Sequence, residues 1–143
     1  MRVRRLKLLE TEILEREADG YQAIVKLRFV NQNFVGVELF KEGQQAKFEA
    51  IAKATTEAIK QALPLPVDID LRKVVELHPP FLNDVLVVVM MDLYINGKQL
   101  SLTGCCVCMQ KDLTYGIARA TLDSTNRVVD YLLNKYQQLN TLI

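Results

Sequence analysis

Histidine occurs once in these 143 residues, at His78, and cysteine three times, at Cys105, Cys106 and Cys108. A structural zinc site takes four ligands, and only Cys106 and Cys108 would share a strand face. No metal and no bound cofactor is therefore expected. The same scarcity argues against a disulfide framework, because adjacent cysteines on a strand point to opposite faces and bridge poorly. Free thiols fit a reducing compartment, so the expected location is cytoplasmic. No run reaches the ~18 apolar residues of a membrane span, and the charged amino terminus has no apolar stretch of a signal peptide behind it. An excess of one charge is missing too. The net charge is +1, and the cluster Arg2, Arg4, Arg5 and Lys7 is soon answered by Glu10, Glu12, Glu15 and Glu17. That balance sets nucleic acid behind other partners and announces no membrane surface.

What the chain does contain is a phrase written twice. Ile51-Ala52-Lys53-Ala54-Thr55 returns as Ile117-Ala118-Arg119-Ala120-Thr121, 66 residues later (117 − 51). Lys7-Leu8-Leu9-Glu10 meets Lys73-Val74-Val75-Glu76 at the same spacing, and Leu27 meets Leu93. One offset aligning three segments points to a duplicated supersecondary unit.

Val3 to Arg16 reads as a strand whose imperfect alternation predicts a bulge or two apolar faces. After the Asp19-Gly20 turn, Tyr21 to Val30 alternates, with Ala23, Val25, Leu27 and Phe29 against Gln22, Lys26 and Arg28. Asn31-Gln32-Asn33 turns the chain into Phe34 to Phe40. From about Gln45 the period becomes helical, through Phe48, Ile51, Ala52, Thr55, Ala58, Ile59 and Ala62, until Pro64 and Pro66 stop it. The plan then repeats. Val67 to Leu77 is a strand ended by His78-Pro79-Pro80. Asp84 to Ile95 and Leu100 to Met109 form a hairpin about Asn96-Gly97. With Asp112 as its N-cap, a helix from Leu113 to about Leu139 carries Ile117, Ala120, Thr121, Ser124, Val128, Tyr131 and Leu132 on one stripe.

The expected fold is therefore α+β: one pseudo-twofold domain over residues 1–143, made of two βββα repeats. The first covers about 3–63 and the second about 67–133, with a helical extension over 130–143. Each antiparallel sheet has one helix to cover it. Gly36 and Gly104, in the third strands, are expected to admit their helices closely.

This plan resembles the C-terminal regulatory (dimerisation) domain of 2-isopropylmalate synthase. The nearest motif runs from Thr103-Gly104 through Lys111-Asp112 into Ala118-Arg119-Ala120-Thr121 and ends near Asn126-Arg127. In that family a glycine-rich turn with an aspartate leads into an alanine-rich helix there. The resemblance implies a dimerising domain that senses leucine near the pseudo-twofold junction and signals to a separate catalytic barrel. Here the turn reads Cys105-Cys106-Val107-Cys108-Met109-Gln110-Lys111, and the first unit offers only Gly43 with Gln44-Gln45. Leucine itself is therefore not carried over, and without the barrel neither is the synthase reaction.

The cysteines read as small core residues of a buried strand and His78 as a loop residue, so no catalytic residue is assigned. Lys47, Lys53 and Lys60 bring to mind the last helix of double-stranded-RNA-binding domains, but no basic face accompanies them. The asymmetry of the central strands is more informative. Val85, Val87, Val89, Met91 and Leu93 line one face of the second, and Leu86, Val88 and Met90 line the other, broken only by Asp92. A strand apolar on both faces needs two covers, and one helix supplies one. Leu86, Val88 and Met90 are the candidate interface, covered by a partner subunit, the carboxy-terminal helix or another domain. The expectation is a non-catalytic regulatory or scaffolding module, a homodimer with a small-molecule effector at the repeat or subunit junction. The alternatives are a small enzyme with a junction pocket and an RNA-binding module.

Overall fold

A computed structural model describes residues 5–16 and 20–141, with side chains described through residue 135. Val3, Arg4, Asp19 and the side chains of the last eight residues, on which some expectations fell, lie outside that description. The element order is β1 (Lys7–Arg16), β2 (Gly20–Phe29), β3 (Gln32–Phe40), α1 (Gln44–Ala62), β4 (Asp68–Leu77), β5 (Val85–Ile95), β6 (Lys98–Cys108) and α2 (Leu113–Thr141). Two antiparallel sheets result, ordered β1-β2-β3 and β4-β5-β6, each followed by its helix. The tandem βββα plan is thus present, and its first strands both carry a bulge, at Leu8/Glu10 and at Leu71/Lys73.

Each helix does more than cover its own sheet. Helix α1 packs on β2 and β3 and also on β4, α2 packs on β6 and β5 and also on β1, and the helices touch each other. Two walls per helix explain why burial is wider than one stripe. Leu122, Thr125, Val129 and Leu133 are buried in α2, while Tyr131, expected on the apolar stripe, is 61% exposed. The solvent-facing line is instead Tyr115, Arg119, Asp123, Arg127, Tyr131 and Lys135, one residue per turn.

The repeated phrase encodes this interior. Ile51 and Ile117 are core residues, and Ala52 and Ala118 are fully buried. Thr55 and Thr121, both buried, donate their hydroxyls back to Ile51 O (2.7 Å) and Ile117 O (2.8 Å). Each threonine therefore enters the core with its polar atom satisfied. Gly36 and Gly104 lie directly under the carbonyls of Ala54 and Ala120, so close that a Cβ would overlap helix backbone.

Those two glycines are 68 residues apart, whereas the carbonyls they meet are 66 apart. Gly36 stands opposite Val25 and Gly104 opposite Val89, four and six residues from the ends of their hairpin strands at Phe29 and Ile95. Helix α2 thus crosses its sheet two residues, about 7 Å, farther from the hairpin than α1 does.

The turns differ as well. Asn96 (φ 51°) and Gly97 (φ 75°) make the expected tight hairpin. The first hairpin turns at Val30-Asn31 instead of Asn31-Gln32-Asn33, since Phe29 already pairs with Gln32. That puts Val30 at φ 58°, a left-handed conformation a β-branched residue resists. Its carbonyl accepts from Arg28 Nε at 3.1 Å. Asp112, expected as an N-cap, lies within a 3₁₀ turn, Gln110–Asp112, that feeds α2.

Candidate functional site

The junction between the two units opens as a cleft of about 460 Å³. The first unit contributes Ile13 from β1, Tyr21 from β2, Phe40 from β3, Glu42 and Gly43 from the loop, and Gln44, Lys47 and Phe48 from α1. The second contributes Gln110, Lys111, Leu113 and Thr114, where the 3₁₀ turn enters α2. Tyr21 and Phe40 are cross-strand partners whose rings stack at 5.3 Å, forming an aromatic wall. Lys47 and Lys111 face that space against a single acid, Glu42. Flat apolar surface beside two ammonium groups suits a small molecule with an apolar body and an acidic group.

A polar chain leads away from this cleft. Gln110 Nε2 donates to Glu76 Oε1 at 3.0 Å, and His78 Nε2 lies 3.1 Å from the same oxygen. His78 is a largely exposed loop residue, as its sequence context implied, yet it is one carboxylate removed from the cleft wall. No sequence pattern signalled that link, because it joins Gln110 and His78, 32 positions apart, and the repeat that includes Glu76 pairs it with Glu10 and with neither of them. Beside it Gln45 Nε2 donates to Val74 O at 3.3 Å, tying α1 to β4.

The outer face of the second sheet is the other feature. Register sets it out in rows: Leu77, Leu86 and Val107, then Val75, Val88 and Cys105, then Lys73, Met90 and Thr103. Leu86 and Val88 are half-buried, and Met90, Leu77 and Val107 are 38%, 43% and 53% exposed. Met90, Leu77 and Val107 thus present apolar surface to solvent. The patch ends at Asp92, which accepts from Ser101 Oγ (3.0 Å) and pairs with Arg72 Nε (3.4 Å), the residue at the bulge.

The first sheet's outer face is less polar than its central strand implied. Ile24 interrupts Gln22, Lys26 and Arg28, and edge strand β3 presents Val35, Val37 and Leu39 outward. A Lys26–Glu10 ion pair at 3.3 Å and Glu12 nevertheless divide that surface, while the second sheet's patch is continuous.

The cysteines are not fully buried, because β6 is an edge strand, although Cys106 and Cys108 pack against the core as expected. Cys105 is exposed on the outer face, and Cys106 and Cys108 are half-buried on the inner one. The Cys105 N–H donates to Asp123 Oδ2 at 3.0 Å, so α2 covers that part of the edge. Burial pushes the Cys106 thiol up, against the pull of Arg119, and burial also raises Cys108. A raised thiol is less often in the thiolate form that attacks or binds metal. No group of three or more metal-binding side chains occurs among the described residues. Nor, among them, is any helix long and apolar enough to cross a membrane. No protein-family model matches this chain, and no curated protein sequence matches it.

Proposed function

We propose that this chain is a regulatory or scaffolding module that pairs with a second copy through the outer face of its second sheet and takes a small-molecule effector at the inter-unit cleft. The observation that carries the reading is the uncovered apolar patch around Leu86, Val88 and Met90. Taking a fully exposed side chain of this kind to full burial contributes roughly 1.5–3 kcal/mol; Leu86, Val88 and Met90 would gain the part that remains, on both subunits, which favours association. The cleft supports the second half of the reading, since both units line it. A ligand there would couple their relative placement to occupancy. The βββα duplication, in the manner of the regulatory domain it resembles, gives the same direction.

Light scattering on the full chain tests the pairing. Val88→Asp puts a carboxylate in the centre of the patch, where a monomer leaves it in contact with water. The wild type is expected at twice the chain mass and Val88→Asp at one, with unchanged circular dichroism. Lys26→Asp, on the charged outer face of the first sheet, is expected to keep the wild-type mass. A monomeric wild type, or a dimer indifferent to Val88→Asp, would overturn the interface.

A further inference from the structure

A second cavity, distinct from the junction cleft, lies in the second unit. It measures about 570 Å³ and lies where the hairpin end of β5 and β6 meets the second half of α2. Ile95, Leu100, Val128 and Leu132, with Leu65 from the connection between the units, supply its apolar lining. Sixty-six residues earlier, Phe29 and Phe34 stand where Ile95 and Leu100 stand here, and both rings are packed into or against the core. The smaller side chains of the second unit, under a helix displaced from the hairpin and extended beyond it, leave the space open.

The rim is cationic. Arg127 and Lys135 border the cavity two helical turns apart with Tyr131 between them, and among the described residues no aspartate or glutamate lines it. Lys135 Nζ is steadied over Tyr131, 3.2 Å from its hydroxyl and 5.3 Å from its ring centroid. A purely apolar guest would leave two cations without a counter-charge, and a small inorganic anion would leave the floor wet. We infer that this cavity binds a free amphiphilic carboxylate, an acyl chain of medium length lying on Ile95, Leu100 and Leu132 with its head group between Arg127 and Lys135. The volume falls within the range of small-ligand pockets, roughly 300–1,000 Å³.

Isothermal titration of the full chain with octanoate, octanol and octylammonium tests this directly. Octanoate is expected to bind saturably, one per chain, and octylammonium at least about tenfold more weakly, the scale of a charge-assisted hydrogen bond. The double variant Arg127→Gln with Lys135→Gln, entirely on the exposed line of α2, should reduce octanoate to the affinity of octanol. Leu100→Phe restores the first unit's residue and should abolish octanoate binding without lowering the unfolding midpoint. Absence of saturation, equal affinity for octylammonium, or indifference to the double variant would overturn the assignment. So would a wild type that binds no octanoate but changes mass on Leu100→Phe, which would give the cavity to a second copy of the chain.

Discussion

The first unit closes its hairpin with Val30-Asn31 and fills the space behind it with Phe29 and Phe34. The second closes with Asn96-Gly97 and leaves a cavity behind Ile95 and Leu100. Each unit has relaxed a different constraint. The first keeps its core full and tolerates a strained turn, while the second has a turn suited to its backbone and a helix placed farther along the sheet. Duplication preserved what both helices need, namely the small residues and buried threonines of the repeated phrase and a glycine beneath one carbonyl. The ends of the sheets were free to diverge.

The contact held in common should be the hardest to break. Gly36→Ala and Gly104→Ala would each force helix backbone off its sheet, at a cost of about 3 kcal/mol or more, the upper range for overpacking. Urea denaturation should show similar losses in both units despite the two-residue slip. A loss confined to Gly36→Ala would mean that the second helix is already loosely seated.

The turns should respond in opposite senses to an exchange. Asn96→Val places a β-branched residue at φ 51° and should destabilise by about 1–2 kcal/mol. Val30→Asn should stabilise by about 1 kcal/mol, since asparagine accepts that conformation. Paired thermal melts check both signs, and an unstabilised Val30→Asn would locate a compensating contact for valine in the first turn.

The smallest effect concerns a residue with no counterpart in the first helix. Asp130 is buried in α2, its Oδ2 2.8 Å from Arg5 Nε, while Oδ1 has no partner among the described residues. Burial raises its carboxyl above the ordinary range, and Arg5 only partly opposes this. A carboxyl raised in the folded state holds its proton longer than in the unfolded chain, so its ionisation disfavours folding. That penalty is absent below the ordinary carboxyl range, grows as pH rises from there and is complete above the raised value. Asp130→Asn should therefore stabilise at neutral pH by about 1 kcal/mol, the low end for a poorly satisfied buried acceptor. The gain should vanish toward pH 3. An equal gain at both pH values would mean that packing, not charge, is responsible.

Much of the fold was legible because local rules and period agree within it. The offset of 66, the change from period two to 3.6 at Gln45 and the stop at Pro64 all mark elements held together by local geometry. The Asn96-Gly97 turn was equally visible, whereas the turn at Val30 carries no local signal because strand register sets it against valine's own preference. The candidate site was less legible. Leu86, Val88 and Met90 follow from alternation alone. The junction cleft, by contrast, needs both helix starts brought to the same end of the molecule, and Gln110, Glu76 and His78 share no motif. One signal lay in view: glycines 68 apart beneath phrases 66 apart announce that the second helix is displaced.

The sequence by itself determined the two βββα units, the small buried residues of the repeated phrase and the apolar outer face of β5, since each depends on neighbours a few positions away. Only tertiary structure decided that each helix would lean on the other unit's first strand, burying Leu122, Val129 and Leu133 and turning Tyr131 outward. It also decided that β6 would be an edge, leaving Cys105 exposed and Cys106 and Cys108 half-covered, and that a cavity would open beside the second hairpin. The physical reason is that periodicity records which face of an element is apolar, while the number of surfaces meeting that face depends on packing between elements far apart in the chain.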